Sequence, residues 1–267
     1  MISHATILGR AHRLMQHNGQ DFATAATPAP GLAIGLVCDG CGSKFGGNGN
    51  LRAGTAPSHN EVGANLLGQF TLDFLSERLR ALPPPIGPAA LEALLADLHL
   101  AALTFLHHLT IHFPETKRRE FVATRLLATL VGFVRTAETA VFFWQGDGFL
   151  VANGAVCPLN SHNQPDYLAY QLLQPQPTQT NFQLAFVPHP AQLRWLAVAT
   201  DGWSAGLLTQ LEEPRPPLTL QRWLNVQSQQ RGQFDDDGAV AIWHNEEIGD
   251  QRLEDESPIL RSLISQK

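Results

Sequence analysis

The stretch Gly31–Ser43, GLAIGLVCDGCGS, constrains this chain more than any other. Its apolar run from Leu32 to Val37 reads as a buried strand. The run ends on Asp39-Gly40, where a carboxylate meets a residue free of the usual backbone restrictions. A carboxylate at the end of a core strand is held by the sheet behind it, and the glycine lets the backbone turn and offer its own carbonyl oxygen as a second hard ligand. Asp-Gly is also a common turn. Repetition is what favours the cation-holding reading. Leu193–Thr200 is again apolar and ends on Asp201-Gly202. Phe234-Asp235-Asp236-Asp237-Gly238 leads into the strand-like Ala239–Trp243, with the carboxylates now at the strand's beginning.

Two further acids join these. A first strand-like segment, residues 2–8, is followed by Asn18-Gly19-Gln20-Asp21, and Phe22–Ala26 reads as a short strand before the Pro28/Pro30 turn. Asp21 then sits at the mouth of a hairpin whose second strand leads to Asp39, which makes the two carboxylates neighbours. Gln145-Gly146-Asp147-Gly148 reads as a tight hairpin with an acid at its tip, joining the strands Thr139–Trp144 and Phe149–Ala152. In a chain with only 16% charged residues, Asp21, Asp39, Asp147, Asp201 and one of Asp235 to Asp237 all lie at strand ends or turn tips. Buried together, such like charges repel and raise one another's pKa, so they are either scattered over the surface or share cations. An oxygen-only set with no histidine or thiolate pattern suits Mg²⁺ or Mn²⁺. Two such ions about 3.5–4 Å apart activate a water and hold the attacking and leaving oxygens of a phosphate ester. Composition and spacing do not say which ester.

The remaining composition excludes several classes. With 267 residues, 44% of them hydrophobic, the chain can bury a substantial core, and no break in composition divides it. We read one domain over residues 1–267, with its core at about 5–245. A net charge of -6 and a pI near 6.0 argue against a nucleic-acid partner. The one basic run, Lys117-Arg118-Arg119, lies between Glu115 and Glu120 and reads as a solvated turn. No apolar run approaches bilayer-crossing length and the first residues hold no apolar segment of signal-peptide length, so the expectation is a cytoplasmic protein with no membrane partner. Three cysteines make no disulfide framework. Cys38 and Cys41 form a C-x-x-C around Asp39, at a strand end rather than the helix start of a thioredoxin-like site, which leaves a redox switch as a minor reading.

Elsewhere the pattern is helical or irregular. Residues 42–60 read as a surface loop. A helix from Glu61 to Leu82 carries Val62, Leu66, Phe70 and Phe74 at every fourth position, with Ser58 or Asn60 as its N-cap, and stops at Pro83-Pro84-Pro85. A second runs from Pro88 to about His112, with Leu91, Leu94, Leu95, Leu98, Ala102, Phe105 and Leu109 on one side and with His99, His107, His108 and His112 read as surface or rim residues. Ala123–Phe133 reads as a strand, residues 154–192 as an irregular flap or loop, and Trp203–Leu208 and Leu218–Val226 as short helices. Residues 246–267 form a tail, with a last helix at Pro258–Gln266.

These motifs, in this order, resemble the protein phosphatase 2C family of metal-dependent serine/threonine phosphatases, especially its bacterial branch. The resemblance rests on Gly9, His12 and Gln20-Asp21, then VCDGCGS, then HNEVGA with Gly63-Ala64. It continues through Ala123-Thr124-Arg125-Leu126-Leu127, Gly146-Asp147-Gly148, Thr200-Asp201-Gly202 and FDDDGAVAIW. It implies an α+β fold, an αββα sandwich of two antiparallel sheets flanked by helices, with a binuclear Mn²⁺ or Mg²⁺ centre at one end. By resemblance, Asp39 bridges the two ions and Gly40 lends its carbonyl, while Asp201 and Asp236, with Asp235 as the alternative, hold the first ion together with Asp21. Asp147 resembles the ligand of a third, weaker site. The implied reaction is hydrolysis of phosphoserine or phosphothreonine in a protein substrate by a metal-activated water, with a cognate serine/threonine kinase as the natural counterpart. The chain departs from the pattern where eukaryotic members place a phosphate-binding arginine, at Gln16, which leaves His12, Arg10 and Arg13 as candidates. It departs again at Gln20 and at Cys41, where some members carry Glu and a general-acid histidine, and His59 is a candidate for the latter role. These departures keep open a second reading, a catalytically weak or inactive module that binds phosphoproteins or regulates a kinase.

Overall fold

The computed structural model describes residues 1–42, 58–160, 165–174 and 181–246. In chain order the elements are β1 (Ile2–Ile7), α1 (Arg10–Met15), β2 (Asp21–Ala26), β3 (Ala33–Asp39), α2 (Glu61–Ala81), α3 (Pro88–His108) and α4 (Glu115–Arg125). There follow β4 (Leu130–Arg135), β5 (Ala140–Gln145), β6 (Gly148–Ala152), β7 (Ala155–Leu159) and β8 (Gln183–Phe186). The last are β9 (Trp195–Ala199), α5 (Ala205–Leu208), α6 (Pro217–Gln227) and β10 (Gly238–His244).

Strands with apolar residues on both faces need cover on both, and two stacked sheets with helices outside supply it. One sheet has the order β1-β10-β9-β6-β7 and the other β2-β3-β4-β5-β8, and every pairing is antiparallel. Val37, Phe133, Phe142, Leu150, Val198 and Ala241 fill the space between the sheets. α2, α3 and α4 cover the outer face of the second sheet through Leu67, Leu75, Leu98 and Val122 against Leu36, Leu130 and Phe143. α5 and α6 cover the first through Leu207 and Leu220 against Val151 and Val240. The αββα sandwich is therefore the fold of this chain.

Several elements differ from their sequence reading. The segment from Ala123 to Arg125 closes α4 and is not strand, and Lys117-Arg118-Arg119 lies inside that helix instead of in a turn. Pro114 pre-sets its start, Glu115 stands in its first turn, and Arg119–Glu115 (3.4 Å) and Lys117–Glu120 (2.9 Å) pair along its exposed side. α2 buries a different face from the one expected: Gly63, Ala64, Leu67, Gly68, Thr71 and Leu75 are inside, whereas Val62 and Leu66 are exposed. Small residues let the helix lie close to β2 and β3, and that closeness decides the buried face. Phe70 instead stacks on Phe105 of α3, their centroids 4.6 Å apart.

β5 and β6 do not pair. Each belongs to a different sheet, so Gly146-Asp147-Gly148 is a corner between sheets and not a hairpin. Residues 154–192 are more regular than expected, with β7, a 3-10 turn at Leu168–Leu173 and β8. α3 is long and apolar enough to cross a bilayer, with a mean hydropathy of 1.6, against the sequence reading, but here its leucines pack on α2 and the sheet. His99 on α3 is buried edge-on to Phe182, unlike the exposed His107, His108 and His112. Most of the 42–60 loop, the residues from 175 to 180 and the expected helix at Pro258–Gln266 lie outside the described residues.

Candidate functional site

Both sheets deliver carboxylates to one end of the sandwich. In the β2–β3 ladder Asp21 stands directly opposite Asp39, as the hairpin reading expects. Asp39 is fixed from β4's side: its N–H donates to Thr129 Oγ1 (3.1 Å), and the Thr129 N–H donates to the Asp39 carbonyl (2.9 Å). Asp21 is fixed from the other sheet. The Thr200 hydroxyl donates to Asp21 Oδ2 (2.6 Å) and accepts the Ala239 N–H (2.9 Å), so one side chain ties β9 and β10 to β2. At the corner between sheets, Gly146 and Gly148 have φ of +109° and +136°, a region closed to other residues, and together they turn Asp147 inward. Asp201 follows β9. Its neighbour Gly202 lies so near the Asp237 carbonyl that a Cβ there would approach the oxygen to 1.8 Å, which is why the second Asp-Gly pair needs its glycine.

The result is a cavity of about 190 Å³ lined by Asp21, Asp39, Asp147, Asp201, Asp236 and Asp237, with Gln20, Gly40, Cys41, Gly42, Pro165 and Tyr167 completing the wall. Carboxylate oxygens of Asp39, Asp147 and Asp201 all lie within 4.8 Å of one another. No lysine, arginine or histidine is among the described lining residues. Crowding has the expected electrostatic effect. Burial, and then the Asp39 charge, raise Asp21 well above the usual carboxylate range, and burial with the Asp201, Asp236 and Asp147 charges pushes Asp39 up to about 7. Asp201 is raised by burial and by Asp147 and Asp236. The six carboxylates offer only oxygen, and their excess negative charge is what divalent cations relieve, so these residues fit hard ions such as Mg²⁺ or Mn²⁺.

The other candidates are placed elsewhere. Of the three consecutive aspartates, Asp235 does not line the cavity; Asp236 does, and Asp237 does with a carboxylate already taken up by donors from distant segments. The His12 ring bonds Asp237, the Arg13 guanidinium bonds Ser228 (3.3 Å), and Arg10 is exposed, so none of the three lines the cavity. His59 is also exposed, beside Glu61. Cys38 faces α2 as a fully buried thiol whose pKa is raised by burial and by Asp21 and Asp39, which opposes thiolate chemistry there. Sequence reasoning missed Thr129, Thr200 and Asp237 as orienting residues, and Tyr167 as a wall. Of Ser58 and Asn60, the two N-caps the sequence offered for α2, Asn60 holds the position but makes no side-chain bond to the helix; its buried amide donates to the Cys41 carbonyl (2.7 Å) and accepts from the Leu127 N–H (3.0 Å), locking the turn after β3. Thr200 stands in Thr200-Asp201-Gly202, Asn60 in HNEVGA and Asp237 in FDDDGAVAIW, but nothing in the sequence assigns any of the three its orienting role.

Solved structures share this fold. A point variant of a bacterial serine phosphatase aligns over 91% of this chain and 97% of its own, with a TM-score of 0.60 at 12% identity. The serine/threonine phosphatase Stp1 from Staphylococcus aureus aligns over 92% and 94%, with a TM-score of 0.58 at 12% identity. The catalytic domain of the serine threonine protein phosphatase PstP, in complex with two manganese ions, aligns over 91% and 96%, with a TM-score of 0.52 at 14% identity. At such identities the likeness is one of fold. A comparison with curated proteins finds no match. The sequence profile of protein phosphatase 2C, however, matches residues 8–236, and over that span the chain belongs to the protein phosphatase 2C family.

Proposed function

We propose that the chain is a metal-dependent protein serine/threonine phosphatase with a binuclear Mn²⁺ or Mg²⁺ centre. The observation that supports this best is a cavity walled by six aspartates with no cationic side chain among its described lining residues. A phosphate ester is repelled from such a site unless cations are held there first. Asp39, Asp201 and Asp236 hold them, with Asp21, the Gly40 carbonyl and Asp147 contributing. When bound, the ions supply the positive charge that acidifies a water and neutralises the phosphoryl oxygens. The protein's own part is to bring carboxylates from two sheets to fixed positions, and to release the proton that Asp21 and Asp39 retain between them when ions bind. In the overall reaction water adds to phosphorus, the bond to the serine or threonine oxygen breaks, and the alcohol leaves with a proton. The substrate is a phosphorylated protein, with a serine/threonine kinase as its source.

One observation favours a second reading. His12, Arg10 and Arg13 do not line the cavity, and no cationic side chain is among its described lining residues to receive the phosphate. A module that binds phosphoproteins or regulates a kinase, with catalysis weakened, also fits. The test is phosphate release from an aryl phosphate and a phosphothreonine peptide with Mn²⁺, with Mg²⁺ and with EDTA, for wild type beside Asp39→Ala and Asp201→Asn. The expected result is turnover that needs metal and is lost in both variants. Folded wild type that binds Mn²⁺ but releases no phosphate would replace the enzyme reading with the second one.

A further inference from the structure

We propose that Asp237 and His12 act as a positioning pair that holds the metal-bearing segments in register, and that Asp237 is not itself a metal ligand. The inference rests on the metal-centre reading above. Asp237 is 3% exposed, and each of its oxygens is engaged. Oδ1 accepts the Gly9 N–H at 2.6 Å; Oδ2 accepts the Gln20 N–H at 2.6 Å and a hydrogen bond from His12 Nδ1 at 2.8 Å. The carboxylate already accepts two backbone N–H bonds, so Nδ1 is assigned as the ring nitrogen that donates to it. Bonds this short to a carboxylate are charge-assisted and set orientation strongly.

What Asp237 touches gives it a role. Gln20 directly precedes Asp21, so its N–H bond fixes the start of β2. The Asp237 N–H donates to Asp236 Oδ1 at 2.8 Å, which fixes the rotamer of that carboxylate. The Asp237 carbonyl lies against Gly202, next to Asp201. One residue therefore sets the positions of three proposed ligands, at the start of β2, just after β9 and just before β10. His12 completes it: backbone bonds from Arg10 to Phe234 (2.9 Å) and from Ala11 to Asp235 (3.0 Å) dock the start of α1 on this same loop, and the ring then closes over Asp237. Residues behind the ligands of a metal site, by fixing their geometry, govern affinity without contacting the ion.

Another arrangement is open to the same atoms. His12, Asp236 and Asp237 offer ligand atoms within 4.8 Å of one another, so an ion held directly by this trio competes with the positioning role. The experiment uses the full chain, stripped of metal, as wild type, Asp237→Asn, His12→Gln and the double variant. Mn²⁺ is titrated by calorimetry, and KM for an aryl phosphate is measured at saturating Mn²⁺. The expected result is a Mn²⁺ dissociation constant raised about tenfold in each single variant, unchanged stoichiometry, and a double variant no worse than the poorer single one, because the two residues act as a unit. KM at saturating Mn²⁺ stays at the wild-type value. If Asp237→Asn does not fold, His12→Gln, which removes one bond of three, decides alone. Wild-type Mn²⁺ affinity in the variants, loss of one bound ion, or a raised KM for His12→Gln would each overturn the inference. A wild type that takes up no Mn²⁺ overturns the metal-centre reading, and the inference with it.

Discussion

Asp39 shows how crowding carboxylates at one end of the sandwich couples stability to pH. Its folded pKa of about 7 lies above the ordinary 3.8, so between those values the folded state holds a proton that the unfolded state has lost. Stability contributed through this group is therefore present at low pH and is lost as pH rises from about 4 to 7. Asp39→Asn fixes the neutral form. In EDTA the variant should match wild type near pH 4 and exceed it by ~2 kcal/mol at pH 8, as read from urea midpoints. His99 and His244, held below the usual imidazole range by burial, tilt the wild-type curve the opposite way, but they cancel in the difference. Saturating Mn²⁺ should invert the order at pH 8, and a variant that remains the more stable protein in Mn²⁺ would show that Asp39 holds no ion. Thr200 carries a separate cost. Thr200→Val leaves the Ala239 N–H without its acceptor and Asp21 without its donor, which predicts a loss of ~2 kcal/mol that Thr200→Ser largely restores. At this scale the sequence was readable where a strand ran into Asp-Gly, as at Asp39 and Asp201. It was unreadable at Asp235-Asp236-Asp237, because identical side chains are told apart only by donors that the fold brings from Gly9, His12 and Gln20.

At the scale of elements, periodicity located the helices better than their faces. α2 was expected to pack through Val62 and Leu66, but a spacing of four drifts around a helix of 3.6 residues per turn, and the closest approach to the sheet falls on Gly63, Ala64, Leu67, Gly68 and Leu75. Truncation distinguishes the two faces directly. Leu75→Ala, at a fully buried position, should cost ~3 kcal/mol, whereas Leu66→Ala, at a position 37% exposed, should stay within ~0.5 kcal/mol in the same denaturation assay. Equal losses at the two positions would return the packing face to the Val62 side. The Gly-Asp-Gly corner failed for a different reason. Two strands joined by a tight glycine turn look like a hairpin in any local reading, and only the pairing of β5 with β8 and of β6 with β9 assigns them to different sheets. α4 was missed because its last turn, Phe121-Val122-Ala123-Thr124, is rich in residues that suit strands, while its helical start lies in charges that read as a turn.

The whole molecule makes the site a joint between two sheets. Asp21 and Asp39 come from one sheet, Asp201 and Asp236 from the ends of β9 and β10 in the other, and Asp147 from the corner that connects them. The sandwich core between the sheets is apolar and needs no ion, so metal removal should loosen one end and leave the fold intact. Ions that bind only the folded state stabilise it by RT ln(1 + [L]/Kd), ~2.7 kcal/mol at a hundredfold excess over Kd. That gain must appear where the carboxylates stop repelling one another. Hydrogen exchange, followed with Mn²⁺ and with EDTA at pH 7.5, should therefore slow on metal binding at Asp21–Phe22, at Gly40–Cys41 and from Thr200 to Gly202, with little change in β4 or α3. Lowering the pH to 5.5 should weaken the effect, because protons then compete for Asp21 and Asp39, whose raised pKa values keep them partly occupied. Protection spread evenly over both sheets would mean that the ions stabilise the fold as a whole, and no protection at any pH would mean that these five aspartates do not meet through metal.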